Sequence, residues 1–353
     1  MVTNTVQVVG VGTANQPTSY SQTDVLDRYG ITDGRIRGVF LNGGIERRSL
    51  HLPADGVDGR PQTETQAELL AKHRSDGVAM GVEALGRALE RAGAGLDDVR
   101  YLCCVSSSGW LTPGLSALIC RELDLAWDVG RLDVVGMGCN AGLNALSAVT
   151  GRAVQRPGEI AILLCVEVCS AAYVFDSTIR SAVVNSLFGD GAAALAVVAD
   201  AEPGPQAGPR VLKYSSCLIP DSLAAMRYDW DSDHGKFSFF LDPQVPYVVG
   251  AHAGQVVDRL LADTGLDRRD IDHWVVHSGG KKVIDSVKIN LGLTTHDLRH
   301  TSGVLRDHGN LSSGSFLFSF ERLLDEAVAR PGDHGVLMTM GPGSTIESAL
   351  IRW

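Results

Sequence analysis

One pattern recurs in both halves of this chain: a short apolar run, a glycine-flanked polar residue, then an amphipathic helix. In the first half, residues 132–137 read as a strand. Gly136, Gly138 and Gly142 flank Cys139, and Leu143, Leu146, Val149 and Val154 recur at helical spacing. In the second half, Gly309, Asn310 and Gly314 precede a helix striped by Phe316, Phe320, Leu323 and Leu324. Other pieces pair off the same way. Residues 101–109 and 273–280 are each an apolar strand entering a Ser/Gly loop, and residues 159–167 and 335–340 are each a nearly all-apolar strand. Residues 200–210 carry Pro203, Pro205 and Pro209 between the two series and read as a linker. A repeated strand–helix unit cannot bury both its faces alone, so the pattern points to a duplicated α/β architecture. Its halves would be residues 1–200 and 201–353, the first carrying the cysteine and the second the histidine and asparagine.

The totals exclude several classes. A net charge of -10 argues against nucleic acid and anionic membrane surfaces as main partners. No apolar run is long enough to span a bilayer, and the N-terminus has no basic segment followed by a long apolar one. The seven cysteines are irregularly spaced, with no CxxC pair and no zinc-type cluster, so no metal is expected and the reducing cytoplasm is. Gly10 and Gly12 lack the third glycine of a dinucleotide fingerprint and read as a tight turn closing a strand from Val6 to Val11. Arg35, Arg37, Arg47 and Arg48 lie in a polar stretch expected to be a solvated face, with a phosphate contact as the functional reading. Residues 76–93 read as a helix, with Val78, Val82, Leu85 and Leu89 on one face.

A free cysteine is more often inert packing than a nucleophile. Cys139 departs from that expectation because a helix N-terminus favours the thiolate. His277 ends a core strand, and Asn310 heads the helix equivalent to the one after Cys139. Taken singly, the histidine reads as structural and the asparagine as an N-cap. Taken together they match acyl transfer with carbanion chemistry. A sulfur takes the acyl group, and imidazole and amide N–H groups face the oxygen that becomes an enolate.

The chain also resembles the type III polyketide synthases, the chalcone-synthase-like branch of the thiolase superfamily. The motifs are GCNAG at 138–142, LFGDGAAA at 187–194, HSGG at 277–280, HGNLSS at 308–313 and GPGSTIE at 341–347. The resemblance implies a dimeric, duplicated thiolase-like αβαβα layered fold and Cys139, His277 and Asn310 as the catalytic set. It implies malonyl-CoA as a substrate, coenzyme A thioesters without a carrier protein, and no cofactor. The run from His277 through Leu293 is similar to that of a bacterial subgroup serving glycopeptide-antibiotic pathways, in which other pathway enzymes would be partners. For that subgroup the implied reaction joins four malonyl-CoA, one as starter, into 3,5-dihydroxyphenylacetyl-CoA.

Coenzyme A is expected at Arg35, Gly279, Gly280, Lys281 and Lys282, while Gly38 and Asn42 replace two of the family's basic positions. The acyl pocket is expected at Thr112, Ala171, Phe188 and Phe239, with Phe239 as one gatekeeper and Ala171 at the position of the other. The plant-type His-Pro-Gly-Gly is HSGG here. Asn140 follows the nucleophile where plant enzymes often carry Phe, and Thr112 stands where they carry a subunit-crossing Met. These changes fit a small starter. Tetrahydroxynaphthalene or alkylresorcinol synthesis, and a non-catalytic acyl-CoA-binding subunit, remain open at this point.

Overall fold

The computed structural model describes residues 5–57, 59–172, 174–199 and 208–353. The linker at 200–210, and with it the boundary between the halves, lies mostly outside the described residues. Nine strands form one mixed sheet. In chain order they are β1 (Val6–Asn15), β2 (Val99–Ser106), β3 (Gly130–Val135), β4 (Ile160–Glu167), β5 (Gly191–Ala199), β6 (Arg210–Leu218), β7 (His273–Val276), β8 (His334–Gly341) and β9 (Thr345–Arg352). Their spatial order is β7-β8-β9-β6-β1-β5-β4-β2-β3. The two series meet where β1 pairs with β6, Val6 opposite Val211 and Gln7 opposite Arg210.

Strand periodicity builds the layers. Along β4, Ala161, Leu163 and Cys165 face one core, and Ile162, Leu164 and Val166 face another. Along β8, Leu337 faces the first core, and Val336 and Met338 face a third. The shared core holds helices α3 (Ala141–Gln155) and α6 (Ser315–Glu326), whose Leu143, Leu146, Phe316 and Phe320 are buried between strands of both halves. Outside lie α1 (Gln66–Ala92) and α2 (Leu115–Glu122) against the first series. Helices α4 (Val245–Leu261) and α5 (Lys281–Leu291) cover the second. This is the expected αβαβα order.

Some local expectations change. Gly10 and Gly12 do not end a strand, because β1 runs through both. A Cβ at Gly10 would stand 2.1 Å from the Ala88 carbonyl oxygen, and one at Gly12 2.4 Å from that of Ala84. The glycines let α1 press against the strand. That helix begins ten residues earlier than its apolar face indicates, at a capping box in which Thr65 and Glu68 satisfy each other's backbone N–H groups. Arg48 is fully buried rather than solvated, and donates to the carbonyls of Asn185 and Phe188 and to Gln22 Oε1. All seven cysteines are free. No described helix is long and apolar enough to cross a membrane.

Candidate active site

Cys139 sits in a single 3-10 turn, Gly138–Asn140, that leads into α3. The equivalent turn, Ser312–Gly314, leads into α6 and follows Asn310. The two helix heads touch. A Cβ at Gly142 would fall 2.3 Å from the Ser313 carbonyl oxygen, so only glycine lets them close. His277 follows β7 directly, its backbone N–H donating to the Met338 carbonyl at 2.8 Å. Cys139, His277 and Asn310 all border one cavity of about 660 Å³.

Each side chain is prepared differently. Asn310 Oδ1 accepts the Ser312 N–H at 2.8 Å, and the Ser315 hydroxyl lies 3.4 Å away. With its oxygen engaged, the amide turns its NH2 to the cavity side, where Gly279 O is 3.5 Å away and the Cys139 sulfur is also in reach. Cys139 Sγ lies 3.6 Å from Ser312 Oγ. Burial pushes the thiol up to about 12, against the opposing pull of Ser312, Asn310 and its own backbone N–H. Burial also holds the His277 imidazole down to about 3. The helix N-terminus therefore does not by itself ionise Cys139. A thiolate here needs a compensating cation, and His277 borders the same cavity.

The sequence matches the N-terminal domain model of the chalcone and stilbene synthases over residues 7–203 and their C-terminal domain model over residues 215–353. The chain belongs to the chalcone and stilbene synthase family. A 3,5-dihydroxyphenylacetyl-CoA synthase of Streptomyces toyocaensis is 63% identical to this family member over 350 residues, 98% of this chain and 90% of that protein. One of Amycolatopsis orientalis is 62% identical, over 100% of this chain and 95% of that protein. In structure the synthase is similar to a polyketide synthase of the brown alga Ectocarpus siliculosus. The TM-score is 0.91 at 25% identity, over 100% of this chain and 99% of that one.

In this chalcone synthase relative, Phe188 and Phe239 form the aromatic pair at the site, edge to face at 5.8 Å. Both border the cavity and also a smaller chamber of about 40 Å³ beside Cys139. Ala171 is not the partner of Phe239. It packs in the core beneath α1 and α2, and the neighbouring Ala172 borders the chamber. Phe188, rather than the position of Ala171, stands against Phe239. Thr112 is exposed and borders neither space within the single chain.

Arg35, Gly279, Gly280, Lys281 and Lys282 all line the larger cavity. Arg35 is 85% exposed in its side chain and Lys281 pairs with Asp285 at 2.7 Å. Lys282 has no ion pair among the described residues and borders the same cavity.

The smaller chamber holds what sequence reasoning missed. Glu167 ends the apolar strand β4 inside it, fully buried and accepting from the Ser107 N–H and the Ser313 hydroxyl. Burial raises its pKa. A carboxylate closing an otherwise apolar run was the available signal. Ser107, Ser108 and Tyr228 join it on the wall. They had no signal, because two distant chain segments supply them.

Proposed function

We propose that this type III polyketide synthase condenses malonyl-CoA decarboxylatively on Cys139 to give 3,5-dihydroxyphenylacetyl-CoA, as a step in antibiotic biosynthesis. The carrying observation is that a buried sulfur and two N–H-bearing side chains from opposite halves border one cavity, in a chain 62–63% identical to synthases of that name.

Cys139 gives its proton to His277 and takes the starter acyl group as a thioester, with coenzyme A leaving. An extender malonyl-CoA then places its thioester oxygen between the imidazole and the Asn310 amide. Carbon dioxide leaves, and its bonding pair becomes an enolate on that oxygen. Donors already aimed at such an oxygen contribute about 3 to 4 kcal/mol each. The enolate carbon attacks the Cys139 thioester, the sulfur leaves, and the lengthened chain returns to it by transfer from coenzyme A. Coenzyme A is substrate and product throughout, so the three side chains carry the chemistry without a resident cofactor. Arg35, Lys282 and the glycines at 279 and 280 would receive the nucleotide. The small chamber admits a few atoms, about three waters' worth, which suits a malonyl-derived starter over an aromatic one.

A homodimer is part of the same reading. Strand β3 is a sheet edge, and its Leu132 and Val135 are 36% and 44% exposed. Trp127 just before it is 97% exposed. A second copy covering this edge would also face Thr112. Free thiols throughout suit the cytoplasm.

Incubation of the purified chain with malonyl-CoA alone, with product identified by mass, tests the reading. The aromatic acyl-CoA is expected. A naphthalene or a long-chain resorcinol would replace it with another product of the family.

A further inference from the structure

His73 is buried on α1, 1% exposed, and no step of the condensation uses it. Its Nδ1 lies 3.3 Å from Ser108 Oγ. Its Nε2 is buried and has no hydrogen-bond partner among the described residues. A proton on Nε2 would be an orphan donor, which is costly, whereas an idle acceptor is tolerated more readily. Burial keeps the ring neutral, pulling its pKa down to about 4. The single ring proton therefore belongs on Nδ1, and Nδ1–H donates to Ser108.

A serine hydroxyl has two acceptor lone pairs and one proton. Ser108 Oγ already accepts the Val168 N–H at 2.9 Å. With His73 donating as well, both lone pairs are occupied and the hydroxyl proton must point away from them. Within the protein Ser106 Oγ at 3.4 Å and the buried Glu167 carboxyl accept it, so a keto oxygen entering beside Glu167 competes for a proton already turned to that side. Ser108 and Glu167 both border the chamber beside Cys139.

We infer that His73 is a positioning residue, which aims the Ser108 hydroxyl as a donor at a keto oxygen of the chain held on Cys139 and thereby favours aldol ring closure. The inference rests on the proposed polyketide synthesis and adds where closure is directed. In that closure the enolate carbon's electron pair forms the new carbon–carbon bond and the ketone π pair moves onto its oxygen. The proton given up by the carbon nucleophile returns to that oxygen. A donor fixed at the oxygen stabilises the alkoxide as it forms. Lactone release of an uncyclised chain makes no such demand.

The test gives malonyl-CoA to the full chain and follows coenzyme A release, KM and the ratio of aromatic to pyrone products. For His73→Leu, release and KM should stay within about twofold of wild type while the aromatic fraction falls about fivefold, the effect of one ordinary hydrogen bond; Ser108→Ala, which removes the donor itself, should lower that fraction at least as far. His73→Asn keeps an N–H near the Nδ1 position and should restore the ratio. A wild-type ratio in folded His73→Leu overturns the inference, as does a folded His73→Asn that behaves like the Leu variant. If His73→Leu does not fold, Ser108→Ala decides, and a wild-type ratio there overturns it too. Wild-type protein that makes no condensation product would instead overturn the proposed function itself.

Discussion

The heads of the two central helices are the same piece of architecture used twice, and they differ in how tightly the key side chain is held. Asn310 is fixed, with its carbonyl oxygen accepting from Ser312 and its backbone N–H donating to the Leu187 carbonyl. Cys139 is held more loosely, with the Ser312 hydroxyl at 3.6 Å, the Asn310 amide in reach, and Cys169, Val184 and Phe188 packed beside it. The difference suits the roles proposed for the two side chains. An amide that stabilises a developing oxyanion works best when already oriented, whereas a sulfur that repeatedly gains and loses an acyl group needs room. The fold has two equivalent helix N-termini, and their immediate neighbours suit one to the proposed nucleophile and the other to the proposed donor.

Substitutions can break this contrast. The largest effect is expected from the pair Cys139→Ala and Asn310→Ala. The first should abolish condensation. The second should lower malonyl-CoA decarboxylation by about 100- to 1,000-fold while iodoacetamide still labels Cys139 at close to the wild-type rate. Equal loss of labelling in the Asn310 variant would mean that the two heads are not separable.

Next is His277→Ala. Removal of the imidazole takes away the base proposed to receive the thiol proton, and burial already holds that thiol up at about 12. Alkylation at pH 7 should therefore slow by more than about tenfold and climb steadily between pH 7 and 10, one decade per unit where the thiolate is the minor form. A profile identical to wild type would show that the imidazole does not compensate the sulfur.

Gly142→Ala should be smaller and act on stability. Its Cβ meets a backbone carbonyl, so the heads must separate, costing about 1 to 3 kcal/mol in a denaturant melt. Activity in the surviving fold should fall as well, since the same separation moves Cys139 from Asn310. The smallest effect is expected at the mouth. Lys282→Ala should raise KM for malonyl-CoA a few-fold and more than Lys281→Ala does, because Lys281 already faces Asp285.

How much was legible depended on how local the cause was. Cys139, His277 and Asn310 stood out because a strand, a glycine and a helix start are written in consecutive residues, and the alternation along β4 and β8 records burial on both faces. The turn assigned to Gly10 and Gly12 was wrong for the opposite reason. What makes those positions glycine is α1, about seventy residues further on.

The amino-acid sequence by itself determined the repeated strand–helix plan, its layering, and which three side chains stand at element ends with chemistry to offer. Tertiary structure alone decided that Phe188 rather than Ala171 faces Phe239, that Arg48 is buried, and that Glu167 and Ser108 meet beside the sulfur with His73 behind Ser108. Periodicity reports how a residue sits on its own element. Which elements close on one another is set by packing between distant segments, and the small chamber exists only where those segments meet.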